Sequence, residues 1–203
     1  MADEKGSGGT SGRKDGFWQR IWRQPSNRWL LGIPLGGALA LILGVALTGG
    51  FLASLHATTS NAFCTSCHSM NAFTKPEYEQ SSHFKNAAGV RASCADCHVP
   101  ESFIPKMQRK IQAGLHEVPG WIMGTIDTRE EYEANRARMA ELVWERFRGN
   151  DSLTCRNCHS YEAMDSEKQG RYAQRRHSAE YLERSGRTCI DCHQGLAHEL
   201  PDS

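Results

Sequence analysis

Cys64-Thr65-Ser66-Cys67-His68 is a pattern that the chain repeats at Cys94-Ala95-Asp96-Cys97-His98, Cys155-Arg156-Asn157-Cys158-His159 and Cys189-Ile190-Asp191-Cys192-His193. Each copy is C-x-x-C-H, and the four copies use all eight cysteines. The spacing has a chemical reason. Two thiols so placed can each add to one vinyl group of the same porphyrin, and the next histidine then lies under the iron and supplies an axial nitrogen. The pattern is the attachment site of a c-type haem, and four copies imply four covalently bound haems c. Cys64, Cys67, Cys94, Cys97, Cys155, Cys158, Cys189 and Cys192 form the thioether bonds in this reading, with His68, His98, His159 and His193 as iron ligands.

Other uses of these cysteines fit less well. A thioredoxin-like redox pair is a single C-x-x-C near a βαβ pattern, without the trailing histidine. Structural zinc needs four ligands per site, which such units can supply, but a histidine directly behind the second cysteine in every copy suits haem better. A disulfide framework leaves the histidines unexplained.

Working outward, the segment from Trp29 to Leu55 contains no charged residue. As a helix it is roughly 40 Å long at about 1.5 Å per residue. A bilayer core is about 30 Å thick, so the segment spans with tilt or begins effectively at Pro34. Its six glycines from Gly32 to Gly50 are ordinary in a lipid-embedded helix. Arg13, Lys14, Arg20, Arg23 and Arg28 precede it, so the positive-inside rule keeps the N-terminus cytoplasmic. A cleaved signal peptide has a shorter apolar region, and the A-x-A match at Ala38-Leu39-Ala40 lies inside the run rather than at its end. The expected organisation is a cytoplasmic tail over 1–28, a transmembrane anchor over 29–55 and a tetrahaem domain over 56–203. Haem c is attached outside the bacterial cytoplasmic membrane. The chain is therefore expected in the inner membrane, single-pass, with its haem domain in the periplasm.

The tail up to Arg28 has six Lys and Arg against three Asp and Glu; the rest has eighteen against twenty. Its Gly-, Ser- and Lys-rich start, Lys5 to Lys14, reads as disordered. Nothing in this balance suggests nucleic acid. The outer domain is short for one core plus four large cofactors, so the haems are expected to be much of the core.

An internal repeat organises that domain. One half runs from Cys64 to His98 and the other from Cys155 to His193, each a motif, an isolated histidine and a second motif. The isolated histidines are His83 and His177. Between the halves, Thr128-Arg129-Glu130-Glu131 fits a capping box, and Tyr132, Met139, Leu142, Val143 and Phe147 follow at helical spacing. This predicts a helix of about 20 residues whose apolar stripe packs in the core.

Of nine histidines, five lie outside the motifs: His56, His83, His116, His177 and His198. His83 and His177 recur at equivalent places and are candidate ligands. His198, close behind the last motif, is a candidate to ligate a neighbouring haem. His56, at the outer end of the span, reads as interfacial. Met70 follows His68 by two residues, where the second half has Tyr161. It is either a packing methionine or a thioether ligand to the first haem. In the second case His68 or Met70 ligates haem one and leaves a face open, and His83, His177 and His198 serve the other three. If all four haems are bis-histidine, His116 is needed as well.

Several stretches resemble one family. C-x-x-C-H-S-M at Cys64 to Met70, Lys75-Pro76, Ser82-His83-Phe84, Cys94 to Pro100 and the ending Gly195-Leu196-Ala197-His198 are similar to the NapC/NirT family of membrane-anchored multihaem cytochromes. Gly124-Thr125-Ile126-Asp127-Thr128 resembles its NapC branch. The resemblance covers nearly everything after Arg28. It implies oxidation of membrane quinol and delivery of electrons to a periplasmic reductase or its cytochrome subunit, most often nitrate reductase. It implies Met70 as ligand to the first haem, which faces the quinol site. It further implies a lysine and a carboxylate downstream of the second motif, by position Lys110 and Glu117, although aspartate is more usual than Glu117 there. The residues support the same mechanism. Cys64 lies nine residues beyond Leu55, close to the membrane; Lys110 can hydrogen-bond a quinone oxygen, and a carboxylate can take a proton. Lys106, Arg109 and Lys110 read equally as a basic surface for lipid headgroups or haem propionates.

The fold class expected is mainly α with irregular segments: one N-terminal transmembrane helix and a compact multihaem domain of two dihaem repeats. The rival function is a terminal reductase acting on nitrite or an N-oxide at an open haem, against which stand the small domain and the lack of a basic anion pocket. A redox sensor would need a signalling domain on the cytoplasmic side, where only the tail is expected.

Overall fold

The computed structural model describes residues 16–24 and 32–202. The disordered stretch expected at Lys5 to Lys14, the flanking Arg13 and Arg28 and the start of the apolar run at Trp29 lie outside the described residues. Among the described residues the chain is helical and has no strand. It divides into two compact units, Met1–Leu55 and His56–Ser203.

The first unit holds helix α1 (Phe17–Trp22) and most of helix α2 (Leu35–Ala57). Pro34 sets where α2 begins: its ring fixes φ for helix entry, and its carbonyl accepts from Ala38 N at 3.1 Å. The helix runs on through His56 to Ala57, two residues past the uncharged run. Gly36 is buried under α1, where a Cβ would stand 2.7 Å from Ile21 Cγ2. The rest of α2 is apolar on every side and open, with Leu41, Ile42 and Val45 each 65% exposed. Its 23 residues make it long and apolar enough to cross a membrane.

The second unit is assembled from short pieces. They are α3 (Asn61–Cys64), a π-turn Met70–Thr74 leading into α4 (Lys75–Gln80), α5 (Cys94–His98), α6 (Phe103–Gln112), a second π-turn Ala113–Glu117, α7 (Val118–Ile122), α8 (Arg129–Gly149), α9 (Leu153–Arg156), α10 (Arg171–Arg176) and α11 (Ala179–Ser185). The capping box expected before α8 is present: Thr128 Oγ1 accepts from Glu131 N at 3.2 Å, and Glu131 Oε2 accepts from Thr128 N at 3.1 Å. The stripe on α8 behaves differently from expectation. Tyr132 is buried, but Leu142 is 50% exposed, and Phe147 packs its ring 6.1 Å from that of His98. Phe147 thus faces a motif histidine rather than an apolar core.

Among the described residues of this unit only Tyr78, Ala95, Tyr132 and Ile190 are buried apolar side chains. A domain of this length that closed on its own side chains would bury far more. What it does bury is polar. Arg136 Nη2 and Nη1 donate to Glu77 Oε1 and Oε2 at 2.6 and 3.0 Å, and Glu133 accepts from Arg136 Nε at 2.5 Å. Glu77 Oε2 also accepts from Glu199 N at 3.0 Å, so this pair ties α4, α8 and the segment carrying His198 together. Burial opposes the charge on Glu77, but the Arg136 and Glu199 hydrogen bonds win and hold its carboxyl below the usual range.

Candidate functional site

Each C-x-x-C-H sits on or beside a single helical turn, which brings its two cysteines to one side. His159 N donates to Cys155 O and His193 N to Cys189 O, both at 2.9 Å, so the turn carries through to the histidine. The second motif of each half starts with the same device. Ser93 N donates to Asp96 Oδ2 at 2.6 Å and Thr188 N donates to Asp191 Oδ2 at 2.9 Å. The signal S/T-C-x-D-C-H was present in the sequence as a capping box inside the motif.

The first motif of each half is pinned to the second through a polar residue three positions before its first cysteine. Asn61 Oδ1 accepts from Cys94 N at 2.9 Å; Ser152 Oγ accepts from Ile190 N at 3.3 Å and from Thr188 Oγ1 at 2.9 Å. Ser152 is fully buried and, with Asp151, adopts a left-handed backbone (φ 49° and 54°), which turns the chain sharply from α8 into the third motif. None of the eight cysteines is joined to another. The Cys64 and Cys94 thiols hydrogen-bond each other, which pushes Cys64 down to about 7 and Cys94 upward. Burial, and then the field of Cys155, pushes Cys97 up to about 11, and Cys155 in turn feels Cys189. Cysteines of successive motifs thus influence one another.

Six histidines stand in three facing pairs. Ring centroids are 6.3 Å apart for His83 and His159, 6.2 Å for His98 and His198, and 5.9 Å for His177 and His193. Two imidazoles on opposite faces of one metal, at bonds of ~2 Å, put their centroids about 6 Å apart. Ring-plane angles of 78°, 34° and 26° are all compatible, since axial rings turn freely about the bond axis. Burial keeps His98 neutral, its pKa pushed down to about 4, with His198, Arg109 and Arg146 adding to it; burial also lowers His198. Neutral imidazole is the form that binds a metal. Nδ1 of His83 and of His198 is buried without a hydrogen-bond partner, while His177 Nδ1 is held by Gln169 Oε1 at 2.8 Å, leaving Nε2 free. The residues present fit haem c. Only the His177–His193 pair lies within one half; the other two join residues from different parts of the repeat.

His68 is in none of these pairs; its ring packs edge-on against Phe73 at 5.8 Å. Met70 opens the π-turn just behind it, 38% exposed, its sulfur 3.8 Å from Thr74 Oγ1. Tyr161, its counterpart by position, packs against His177 and reaches Cys189 Sγ at 3.8 Å.

Lys110 and Glu117 do not pair with each other. Lys110 Nζ donates to Thr58 Oγ1 at 2.7 Å and Thr58 O at 3.1 Å, and burial lowers its pKa. Glu117 accepts from Arg109 Nη2 at 2.7 Å and lies on the second π-turn beside the exposed His116. Lys110 and Arg109 both act on the Cys64 thiol, which places them near the first motif. Nε and Nη1 of Arg109 are buried and unpartnered, and burial followed by the field of Arg109 lowers Arg146. Residues that sequence reasoning missed are Gln169, Asn61, Ser152, Arg146 and the Glu77–Arg136 tie. Their partners are mostly distant in sequence and follow no period.

One apolar helix fit for a membrane and a following domain of C-x-x-C-H turns with facing imidazoles define a membrane-anchored c-type cytochrome. The comparisons specify it further: the chain belongs to the NapC/NirT cytochrome c family, whose N-terminal-region model matches residues 26–203. It is 44% identical over 197 residues to the cytochrome c-type protein NapC of Escherichia coli K12, covering 96% of each chain. It is 47% identical over 192 residues to the cytochrome c-type protein NapC of Paracoccus pantotrophus, covering 94% of this chain and 78% of that one. It is 45% identical over 182 residues to the denitrification system component NirT of Stutzerimonas stutzeri, covering 90% and 88%. No solved structure matches the chain.

Proposed function

We propose that the chain is a tetrahaem quinol dehydrogenase of the bacterial inner membrane that delivers electrons to a periplasmic reductase, nitrate reductase foremost. The observation that carries this is the seat of Lys110. Its ammonium is bound to Thr58, the residue after the last of α2, and acts on Cys64 of the first motif. A group able to bind a quinone oxygen is thus held where the membrane segment ends and the first haem is attached. The relatives' names, which include a denitrification component, support the choice of acceptor.

The ligand set follows from the pairs. His98 with His198 would hold the second haem, His159 with His83 the third, and His193 with His177 the fourth. His68 or Met70 would ligate the first, leaving it a more open face. When bound, the haems supply one-electron carriage, so a quinol's two electrons leave singly. The residues around them do the rest. Lys110 exchanges Thr58 for a quinol oxygen and orients the ring. Glu117, on the exposed face of the π-turn, receives the protons of the two quinol hydroxyls one after the other and releases each to water. Arg109, with two buried donors unpartnered, and Arg146 beside it offer a seat for a haem propionate.

The test is reduction of the purified, lipid-embedded protein. Quinol should reduce all four haems, and addition of a periplasmic nitrate reductase with nitrate should reoxidise them. Turnover of nitrite or an N-oxide by the protein alone with an artificial donor would identify it as a terminal reductase instead.

A further inference from the structure

The segment Phe103–Ile122 is an amphipathic helix turned inside out. Ile104 and Ile111 lie seven residues apart on one face of α6, and Leu115, Val118 and Ile122 follow at three- and four-residue steps through the π-turn and α7. In a soluble domain that face would be covered. Here Leu115 is 67% and Ile122 71% exposed, with Trp121 at 57%. Two of its cations turn the other way: the Arg109 side chain is only 13% exposed and Lys110 is bound to Thr58, while the Glu117 side chain stays 56% exposed. The exposed apolar side chains form one strip about 30 Å long, given about 1.5 Å of rise per residue. A strip of that extent on a water-facing domain marks a surface that something apolar covers.

We infer that this strip lies flat in the surface of the lipid bilayer, so that the haem domain is held to the membrane by two elements rather than one. This rests on the reading of α2 as a membrane span. The occupant is argued from continuity. α2 ends at Ala57, Thr58 follows it, and Lys110 in the middle of the strip's helix is fastened to both the carbonyl and the hydroxyl of Thr58. Lys110 therefore ties the middle of this segment to the residue at which the chain leaves a spanning α2. Trp121 has the amphipathic ring that settles at the depth of the headgroups. The π-turn at Ala113–Glu117 puts an extra residue into the helix, so the exposed apolar residues before and after it form a broad strip rather than a single line.

The experiment uses the full haem-loaded chain, one copy per nanodisc, in phosphatidylcholine and phosphatidylglycerol doped with a phospholipid carrying a diazirine on its acyl chain. After illumination, adducts are mapped by mass spectrometry, and a parallel sample is footprinted with water-borne hydroxyl radicals. Lipid adducts are expected on peptides spanning 103–123 as well as on α2, with the strip protected from the radicals. Ile111→Asp with Leu115→Asp should lower adducts on the strip at least ~10-fold, while α2 keeps its own. Adducts confined to α2, with the strip open to radicals, would overturn the inference. So would a strip that neither reagent reaches, since protein rather than lipid would then cover it. If the double variant loses its haem spectrum, the wild-type map alone decides. Quinol-driven reduction in the same discs separates the two proposals: lipid adducts on the strip without such reduction would remove the quinol reading and leave this one.

Discussion

His83 and His159 face one another across the repeat, ring centroids 6.3 Å apart, although one belongs to the first half of the chain and the other to the second. The two halves of the repeat are therefore interlocked through these rings. Each borrows from outside itself, because His98 of the first half likewise faces His198 beyond the fourth motif.

Replacing His83 with leucine should convert one low-spin haem to high-spin and leave covalent haem content unchanged. The affected haem should be the one on Cys155 and Cys158. Peptide-resolved haem content together with electron paramagnetic resonance checks it; loss of the signal belonging to the second motif would reassign the ligand.

Gln169 Oε1 lies 2.8 Å from His177 Nδ1 and leaves Nε2 for the iron that His177 is proposed to bind. Gln169→Leu should raise the potential of one haem, because an imidazole without its acceptor is a poorer donor. Gln169→Glu should lower the same potential. Redox titration followed optically would show the two shifts with opposite sign; shifts of equal sign would mean general disturbance of packing.

Arg136 and Glu77 are both buried, with side chains 8% and 5% exposed. Arg136→Met strands the Glu77 carboxylate and should cost about 3–5 kcal/mol. Glu77→Leu together with Arg136→Met should recover much of that loss. Thermal unfolding of the haem-loaded protein measures both, and a double variant as unstable as the single one would contradict the account.

Ser152 has φ 49° and a fully buried hydroxyl that accepts from Thr188 and Ile190. Ser152→Ala and Ser152→Gly both remove the acceptor, at roughly 1–3 kcal/mol. Glycine tolerates the left-handed backbone and should be the milder of the two by about 1 kcal/mol. Equal stability on denaturation would show that the backbone is unstrained here.

Glu117→Gln should slow quinol-driven haem reduction on the order of 100-fold, as expected for loss of a positioned proton acceptor. Reduction by dithionite should keep its wild-type rate. Equal slowing with both donors would assign Glu117 to packing through its Arg109 contact.

Much of the architecture was legible because it is local. The capping box at Thr128 to Glu131 announces α8, and the uncharged run announces α2, with Pro34 marking its start. The motif cysteines are legible for the same reason, since one turn contains the whole unit. The pairings were not. A facing histidine such as His198 can be named as a candidate, but which iron it faces depends on the Glu77–Arg136–Glu199 tie, whose members are far apart in sequence. The stripe on α8 misled because Phe147 obeys helical periodicity whether it meets apolar side chains or a ligand imidazole. The two π-turns left no signal at all: an extra residue per turn changes no residue type.

The crossed pairing also constrains how the protein can be made. A chain emerges from its N-terminus onward, so His98 appears long before His198, and the loop bearing His83 appears before His159. The early part can accept its porphyrins but has no opposite imidazoles to close over them until later residues arrive. On the proposed ligand set the second site would lack its opposite imidazole until His198 is made, whereas the third would have both of its histidines once His159 appears.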